Sequence, residues 1–279
     1  MRNQRTKDVA YWIYEREQIR IKKEAGKPSP WTKDKILNTY RFCNVNREDD
    51  RVTRWLNKHW RRPYHDHPNL IPALLLARMI NWPPTLAEIG FPEKWNPERI
   101  IQTMHARAAS GEKTWTSAYV VTTCGKAMDK AVYVVQNVCD SVRRAGVGYP
   151  TPPSLEAVWT ALRGFDGLGA GFLAAQVVAD LKNTYRNPLK KAHDWWTWAA
   201  PGPGSLRGLS TYFGTSITRN NFLDSLHAMQ EEVYPMLGAS VPRLCSQNWQ
   251  NVMCEMSKYW KADENRGRPK AYYSPTTEF

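Results

Sequence analysis

A glycine-rich turn between two apolar helices is the first feature of this chain that can do chemistry. The segment Leu162–Gly204 begins LRGFDGLGAGFLAAQVVADL, and its Gly167-Leu168-Gly169 run allows positive φ angles and open backbone N–H groups. The pattern predicts that Ala170 and Gly171 begin a helix whose first amides face a phosphate. An ordinary turn between helices uses glycine as well, but the basic charge of the chain favours phosphate binding.

An acid and several indoles follow this hairpin in the run KKAHDWWTWAAPGPG. Asp194 and His193 are candidate proton acceptors, and Trp195, Trp196 or Trp198 can stack on a base that has left a DNA duplex. At least one of the three tryptophans is expected to be core. A phosphate-binding hairpin followed by an acid is typical of enzymes that act on single DNA bases.

A second polar run, RFCNVNREDD, lies in Arg41–Leu56 and combines cations, amides and acids beside a turn. Its arginines can hold phosphate in two-pronged contacts. Asp50 can orient an arginine or ligate Mg²⁺, and no other cofactor is expected. From composition alone, a solvated helix start with acids near the N-terminus is the better explanation of this run.

Two further runs are less specific. The PGPGSLRG run at 201–208 is either a rigid loop or a phosphate contact made by amides and Arg207. His65 and His67 flank Asp66 in PYHDHP, a spacing that can suggest a metal, but no third cluster supports one. We therefore expect a surface loop and no metal site.

Composition favours a polyanionic partner. The chain has 279 residues, with 39 Lys and Arg against 26 Asp and Glu, and a net charge of +13. Cations that contact phosphates release counterions and gain affinity. Five cysteines without a CxxC pair indicate reduced, mostly buried thiols. No GxxxxGK[ST] motif occurs, so ATP hydrolysis is not expected.

Helical periodicity recurs along the chain, and strands are not expected in number. The fold class is therefore all-α. Asn96-Pro97 and Ser154 signal two helix starts, Lys126–Ala145 reads as one long helix, and Trp115–Thr122 reads as a strand or an extended loop. We expect an N-terminal helix or extension over 1–30, a helical domain over 31–262 and a polar tail over 263–279. The loop at 146–153 is the candidate boundary between two lobes around a cleft.

The second polar run and the HDWWTWAAPGPGSLRGL run carry a resemblance. The pattern RFxNVxRExDxVTxWL is similar to the phage α-glutamyl/putrescinyl thymine pyrophosphorylases, also called amino acid:DNA transferases. A related helical domain accompanies some hydroxymethyluracil DNA kinases. The hairpin also resembles the helix-hairpin-helix DNA glycosylases, so the resemblance implies a glycosylase-like helical fold.

The resemblance implies a transfer reaction on phage DNA in the cytoplasm of an infected bacterium. A separate kinase first pyrophosphorylates 5-hydroxymethyluracil in double-stranded DNA, and the transferase then replaces pyrophosphate with a free amino acid or polyamine. The expected catalytic residues are Asp194, His193, Asn44, Arg47 and Asp50. Pyrophosphate is expected to contact Arg41, Arg47, Arg54 and Arg207. DNA is expected to contact Gly167, Leu168, Gly169, Gly171, Trp195 and Trp196.

Two alternatives stay open. A base-excising glycosylase would use the same hairpin and acid, although the hairpin has no lysine for attack on the sugar. A non-catalytic DNA-binding protein would need only the hairpin. The sequence does not choose between an acidic nucleophile, which needs a spare cation, and a polyamine, which needs a spare acid.

Overall fold

A computed structural model describes residues 2–267 and 271–273. Among these residues the regular structure is helical, and β-structure is limited to an antiparallel bridge between Tyr40 and Tyr272. The α-helices are α1 (Arg2–Glu24), α2 (Lys35–Thr39), α3 (Arg51–Leu56), α4 (Leu70–Ile80), α5 (Pro83–Ile89), α6 (Pro97–Ala109), α7 (Lys130–Val132), α8 (Asp140–Ala145), α9 (Leu155–Arg163), α10 (Phe172–Lys182), α11 (Pro203–Phe213), α12 (Phe222–Val233) and α13 (Ser246–Asp263). The predicted all-α class is confirmed for the described residues.

Shorter helical turns link these helices. Arg47–Asp49, Pro188–Lys191 and Tyr234–Met236 are 3₁₀ turns, while Asn57–Arg61 and Tyr133–Cys139 are π-helical. The predicted long helix thus begins at Lys130 and contains a π segment.

Two compact units divide the chain. One joins the residues up to Asp50 to those from Trp196 onward, and the other runs Arg51–Trp195. The loop at 146–153, where a boundary is expected from the sequence, lies inside the second unit. That loop connects α8 to α9, and α8 packs directly on α4 while α9 reaches α4 through α10.

The first unit has its core between α1, α11, α12 and α13. Val9, Trp12 and Ile13 of α1 are fully buried there together with Trp249 and Trp260 of α13. The N-terminal helix is thus part of this core. Of the expected polar tail at 263–279, residues 268–270 and 274–279 lie outside the described residues, whereas Tyr273 N–H donates to the Thr39 carbonyl.

The second unit is built around α4. Every residue of α4 is buried, as expected for a helix that is apolar on all sides, and α10 and the π segment Tyr133–Cys139 pack against it. Its one charged residue, Arg78, donates to both Asp180 carboxylate oxygens at 2.6 Å and to Thr53 Oγ1. The residues at 111–129 form no regular element, which resolves the expectation for Trp115–Thr122 in favour of a loop. In the part of the chain that the structure describes, no helix is long and apolar enough to span a bilayer.

Candidate functional site

The hairpin predicted from the glycines is present between α9 and α10. Ser154 caps α9, as expected, by accepting the Ala157 N–H. Gly167 and Gly171 have φ angles of 74° and 83°, in the left-handed region that favours glycine. The second helix begins at Phe172 rather than at Ala170, because Gly171 occupies its N-cap position with positive φ.

Tight packing explains why position 171 requires glycine. A Cβ there would lie 2.8 Å from the Trp159 ring, and Trp159 Nε1 donates to the Gly171 carbonyl. The Leu168 side chain fills the turn and is buried. The first amides of α10 have no intrahelical partner by helix geometry, so the turn presents donors suited to an anion.

The other side of the turn rests on the 111–129 loop and the π segment. The Tyr133 hydroxyl lies 2.9 Å from the point where a Gly167 Cβ would stand. Burial raises the pKa of Tyr133, and the neighbouring Cys124 thiol adds to the effect. Lys126 pairs with Asp166 of the turn. The hairpin therefore has a cation and a polar loop beside its open amides.

Asp194 is tied to the first helix of the hairpin. Its Oδ1 accepts the Leu155 N–H at 2.8 Å, and its Oδ2 accepts the Glu156 N–H and the Ser154 hydroxyl at 3.0 Å. The residue is 8% exposed. Since a carboxylate has about four acceptor positions, one position on Oδ1 stays available.

His193 has a fixed orientation and an open nitrogen. Its Nδ1 donates to the Pro153 carbonyl at 3.1 Å, because a carbonyl can only accept. In the neutral ring, Nε2 then carries the lone pair. The residue is exposed, so Nε2 is an accessible proton acceptor.

The three tryptophans after Asp194 differ in environment. Trp198 is buried, which confirms that at least one of them is core. Trp195, in the second unit, packs against the Lys182 ammonium at 4.0 Å from the ring centre. Trp196, in the first unit, is 42% exposed and lies under the Arg243 guanidinium.

The second polar run forms a locked turn in the first unit. Asn44 donates its N–H to Asp50 and its side-chain amide to the Asp49 carbonyl. Arg16, from α1, donates to the Phe42 and Cys43 carbonyls and to Asn44 Oδ1. Burial lowers the pKa of Arg16. Asn44 and Asp50, expected to be catalytic, thus hold the turn together.

Helix α13 holds the same turn from its other side. The buried Glu255 accepts the Cys43 N–H and pairs with Lys258 at 2.6 Å. Desolvation lowers the pKa of Lys258, but Glu255 and other neighbours outweigh it, so the pKa is raised. Burial raises the pKa of Cys43 well above its usual range, so this thiol is a poor nucleophile.

The four arginines expected at pyrophosphate do not share one environment. Arg41 and Arg207 are exposed in the first unit, and Arg54 is exposed in the second. The Arg47 side chain is only 13% exposed and lies 3.7 Å from Glu48, while its N–H donates to Asn248 on α13.

The PGPGSLRG run begins helix α11 at Pro203 and is therefore not a loop over most of its length. A Cβ on Gly204 would stand 2.3 Å from Cys254 Sγ, and one on Gly208 would stand 2.1 Å from the Met253 carbonyl oxygen. Both glycines, one helical turn apart, therefore serve the close packing of α11 on α13.

Sequence reasoning missed the residues that build the polar networks: Arg16, Glu255, Lys258, Asn248 and the Arg78–Asp180 pair. The available signal was a charged residue at a core-facing position, such as Arg78 within LIPALLLARMI. Among the described residues, no group of three or more His, Cys, Asp or Glu side chains is placed to hold a metal ion.

The sequence of the chain matches a known protein family and a named relative. The family described as 5-hmdU DNA kinase, helical domain, matches residues 3–268, and the chain belongs to that family. A 5-hmdU DNA kinase of Bacillus phage SP10 is 28% identical over 209 residues, which cover 67% of this chain and 33% of the kinase. The chain thus spans about a third of the length of that relative. No solved structure gave a significant match.

These findings confirm the resemblance at the level of the kinase-associated helical domain. The finer assignment to the pyrophosphorylases and transferases stays a prediction, as do the helix-hairpin-helix glycosylase fold and the predicted site residues.

Proposed function

We propose that this chain is a transferase that modifies a base in DNA. Its substrate is 5-(diphosphooxymethyl)uracil in double-stranded phage DNA, and its product carries an amine or hydroxyl nucleophile in place of pyrophosphate. The family of the chain supports a place in 5-hydroxymethyluracil chemistry. A kinase that acts on such DNA, like the SP10 relative by its name, adds phosphoryl groups that make the hydroxymethyl oxygen a good leaving group.

The proposed step balances as a substitution at the 5-methylene carbon. The carbon–oxygen bond breaks and its electron pair leaves with pyrophosphate, while a new carbon–nitrogen bond forms from an amine. The amine proton passes to a base on the protein. The modified uracil must leave the base stack of the duplex so that the enzyme can reach it.

One observation carries this proposal: the hairpin and the His193–Asp194 pair form a single rigid piece. Asp194 is bonded to the first amides of α9, and His193 is bonded to the residue before Ser154, the cap of that helix. A phosphate held at the start of α10 would therefore fix the DNA at a set position relative to His193.

We assign His193 as the general base and Asp194 as its positioning residue. The open Nε2 of His193 can take a proton, whereas three donors already occupy the Asp194 carboxylate. Trp195 and Trp196 remain the proposed stacking residues. The proposed contacts to pyrophosphate remain Arg41, Arg47, Arg54 and Arg207, because the negative charge that develops on the leaving pyrophosphate requires cations.

A non-catalytic DNA-binding module is the second candidate. The matching family is named as a domain of a kinase, and the aligned part is a third of the SP10 protein. A module of this kind needs the hairpin and the basic surface but does not need an open imidazole. A base-excising glycosylase is the third outcome of the same test.

One assay separates these functions. The chain is incubated with DNA that carries 5-(diphosphooxymethyl)uracil and with a mixture of amino acids and polyamines, and the digested nucleosides are analysed by mass spectrometry. A new adduct with released pyrophosphate supports the transferase. Free base with abasic sites indicates a glycosylase, and bound but unchanged DNA indicates a module.

His193→Gln is expected to lower turnover by roughly 10²- to 10⁴-fold, the contribution typical of a general base, with DNA affinity unchanged. His105→Gln is the matched control, since His105 is also exposed and hydrogen-bonded in the second unit. Full turnover by the His193 variant would show that His193 is not the general base, whereas the proposed transferase activity would still hold.

A further inference from the structure

A cavity in the second unit, away from the hairpin turn, carries groups of both charges. Three loops form it, with a volume of about 470 Å³, and its polar lining comprises His65, Asp66, His67, Tyr149, Arg186 and Asn187. This volume lies within the usual range for small-molecule sites. The PYHDHP run, which reads as a surface loop in the sequence, thus supplies half of that polar lining.

The two opposite charges of the cavity do not neutralise each other. Asp66 and Arg186 both line it, yet among the described residues neither forms an ion pair, and the Arg186 guanidinium lies 5.0 Å from the centre of the Tyr185 ring. A ligand with both charges would satisfy the two residues together. A single anion would face Asp66 without compensation, and a polyamine would face Arg186.

The imidazoles add one donor and one acceptor. His67 Nδ1 accepts the Asn69 N–H at 3.1 Å, so its neutral ring carries hydrogen on Nε2 and donates there. His65 Nδ1 donates to the Arg62 carbonyl, so its Nε2 accepts. The two rings therefore present complementary groups.

Tyr149 supplies a further donor. Its hydroxyl oxygen accepts the Asn187 side-chain amide at 2.6 Å, which leaves the hydroxyl hydrogen for another acceptor. Burial raises the pKa of Tyr149, so the hydroxyl keeps this hydrogen at neutral pH. Asn187 is itself buried and fixed by the Leu189 N–H.

We infer that this cavity binds a free α-amino acid as a zwitterion. Arg186, His67 and Tyr149 hold the carboxylate, and Asp66 with His65 holds the ammonium group. The role of this amino acid as the incoming nucleophile rests on the proposed function. It narrows the nucleophile of the proposed transferase from an amino acid or a polyamine to an amino acid.

The loops of the cavity lead directly to His193. Tyr149 precedes Pro153, whose carbonyl fixes His193, by four residues, a reach of at most about 14 Å. Asn187 leads into the same segment through Pro188–Lys191. Tyr149 and Asn187 thus connect the cavity along the chain to the segment that carries the proposed base.

Titration calorimetry of the full chain without DNA tests the inference, with glycine, serine and glutamate as probes. Putrescine, N-acetylglycine and glycinamide complete the set, since the last two lack the ammonium and the carboxylate charge, respectively. We expect saturable binding of at least one amino acid, and binding at least roughly tenfold weaker for its capped forms. Absence of amino acid binding, or preferred binding of putrescine, would overturn the inference.

Variants locate the site. Asp66→Asn and Arg186→Gln are each expected to weaken amino acid binding by roughly tenfold, and both positions are exposed, so circular dichroism should be unchanged. Arg99→Gln, an exposed arginine on α6, is the control and should bind normally. Equal binding by all three variants would place the amino acid elsewhere and overturn the inference.

Turnover separates this inference from the proposed function. Adduct formation that is insensitive to Asp66→Asn and Arg186→Gln overturns the cavity assignment and keeps the transferase. Amino acid binding that depends on both residues, without any adduct on pyrophosphorylated DNA, keeps the cavity assignment and overturns the transferase.

Discussion

The polar turn at 41–50 and the hairpin segment at 154–194 contrast in how their polar atoms are used. In the turn, the side chains of Asn44 and Asp50 bond to backbone groups of the turn itself, and Arg16 closes the network from α1. In the hairpin segment, the first amides of α10 lack an intrahelical partner, and the exposed His193 uses only its Nδ1 in the hydrogen bond to Pro153. The more distinctive sequence motif thus builds the framework, and the plainer segment presents reactive groups.

Under the proposed assignment of His193 as the base, the more distinctive motif is not the one that carries the chemistry. A turn stabilised by buried polar groups needs specific residue types, because an unpaired buried group is costly. A helix N-terminus offers its amides whatever side chains surround it, provided that glycine permits the approach.

The largest expected effect is on the polar turn at 41–50. Arg16→Met removes the donor of three acceptors in and beside the turn and should lower the free energy of unfolding by about 3 kcal/mol or more. Urea denaturation measures it. A loss within about 0.5 kcal/mol would show that the turn is held without α1.

The close packing of α11 on α13 comes next. Gly208→Ala places a Cβ against the Met253 backbone oxygen, which cannot rotate away, and should cost about 2 kcal/mol despite the better helix propensity of alanine. Gly238→Ala, in the same unit and with open space around it, is the control. A stabilised Gly208 variant would contradict the packing argument.

In the hairpin segment, Asp194→Asn tests whether Asp194 stabilises the fold or acts as the general base. Its amide nitrogen would face one of the donors at the start of α9, so we expect a loss of about 1.5 kcal/mol in unfolding free energy. Ser154→Ala, which removes the neighbouring cap, should lose about 1 kcal/mol. An Asn variant of unchanged stability that forms no adduct would make Asp194 the base.

The last expected effect concerns DNA binding. A side chain at Gly169 meets open space, so Gly169→Asp should fold normally while placing a negative charge beside the proposed phosphate position. Fluorescence anisotropy should show affinity lower by about tenfold, or 1.4 kcal/mol, whereas Gly169→Asn serves as the uncharged control. Unchanged affinity would place the DNA elsewhere.

Local signals predicted the elements well. Asn96-Pro97 and Ser154 begin helices as expected, because capping depends on a few neighbouring residues. The glycines at 167 and 171 marked the hairpin for the same reason. Helix α10 begins two residues after the predicted start, since Gly171 takes a positive φ at its N-cap position, which the sequence pattern alone does not show.

Long-range partners were beyond the sequence. The Cys43 N–H bonds to Glu255 across 212 positions, and no periodicity reveals such a pair. The glycines at 204 and 208 were interpreted as a phosphate contact or a loop, because a sequence does not show which helix will pack against them. The expected pyrophosphate and catalytic roles stay predictions.

The 111–129 loop gives the protein a ready attachment point for a spectroscopic reporter. Of the five cysteines, all within the described residues, only Cys124 is exposed, while burial raises the pKa of Cys43, Cys139 and Cys254. Thiol reagents react with the thiolate, so a fluorophore would attach selectively at Cys124. Because this thiol adjoins Tyr133, behind the glycine turn, the natural chain can report on occupancy of the hairpin without an engineered label site.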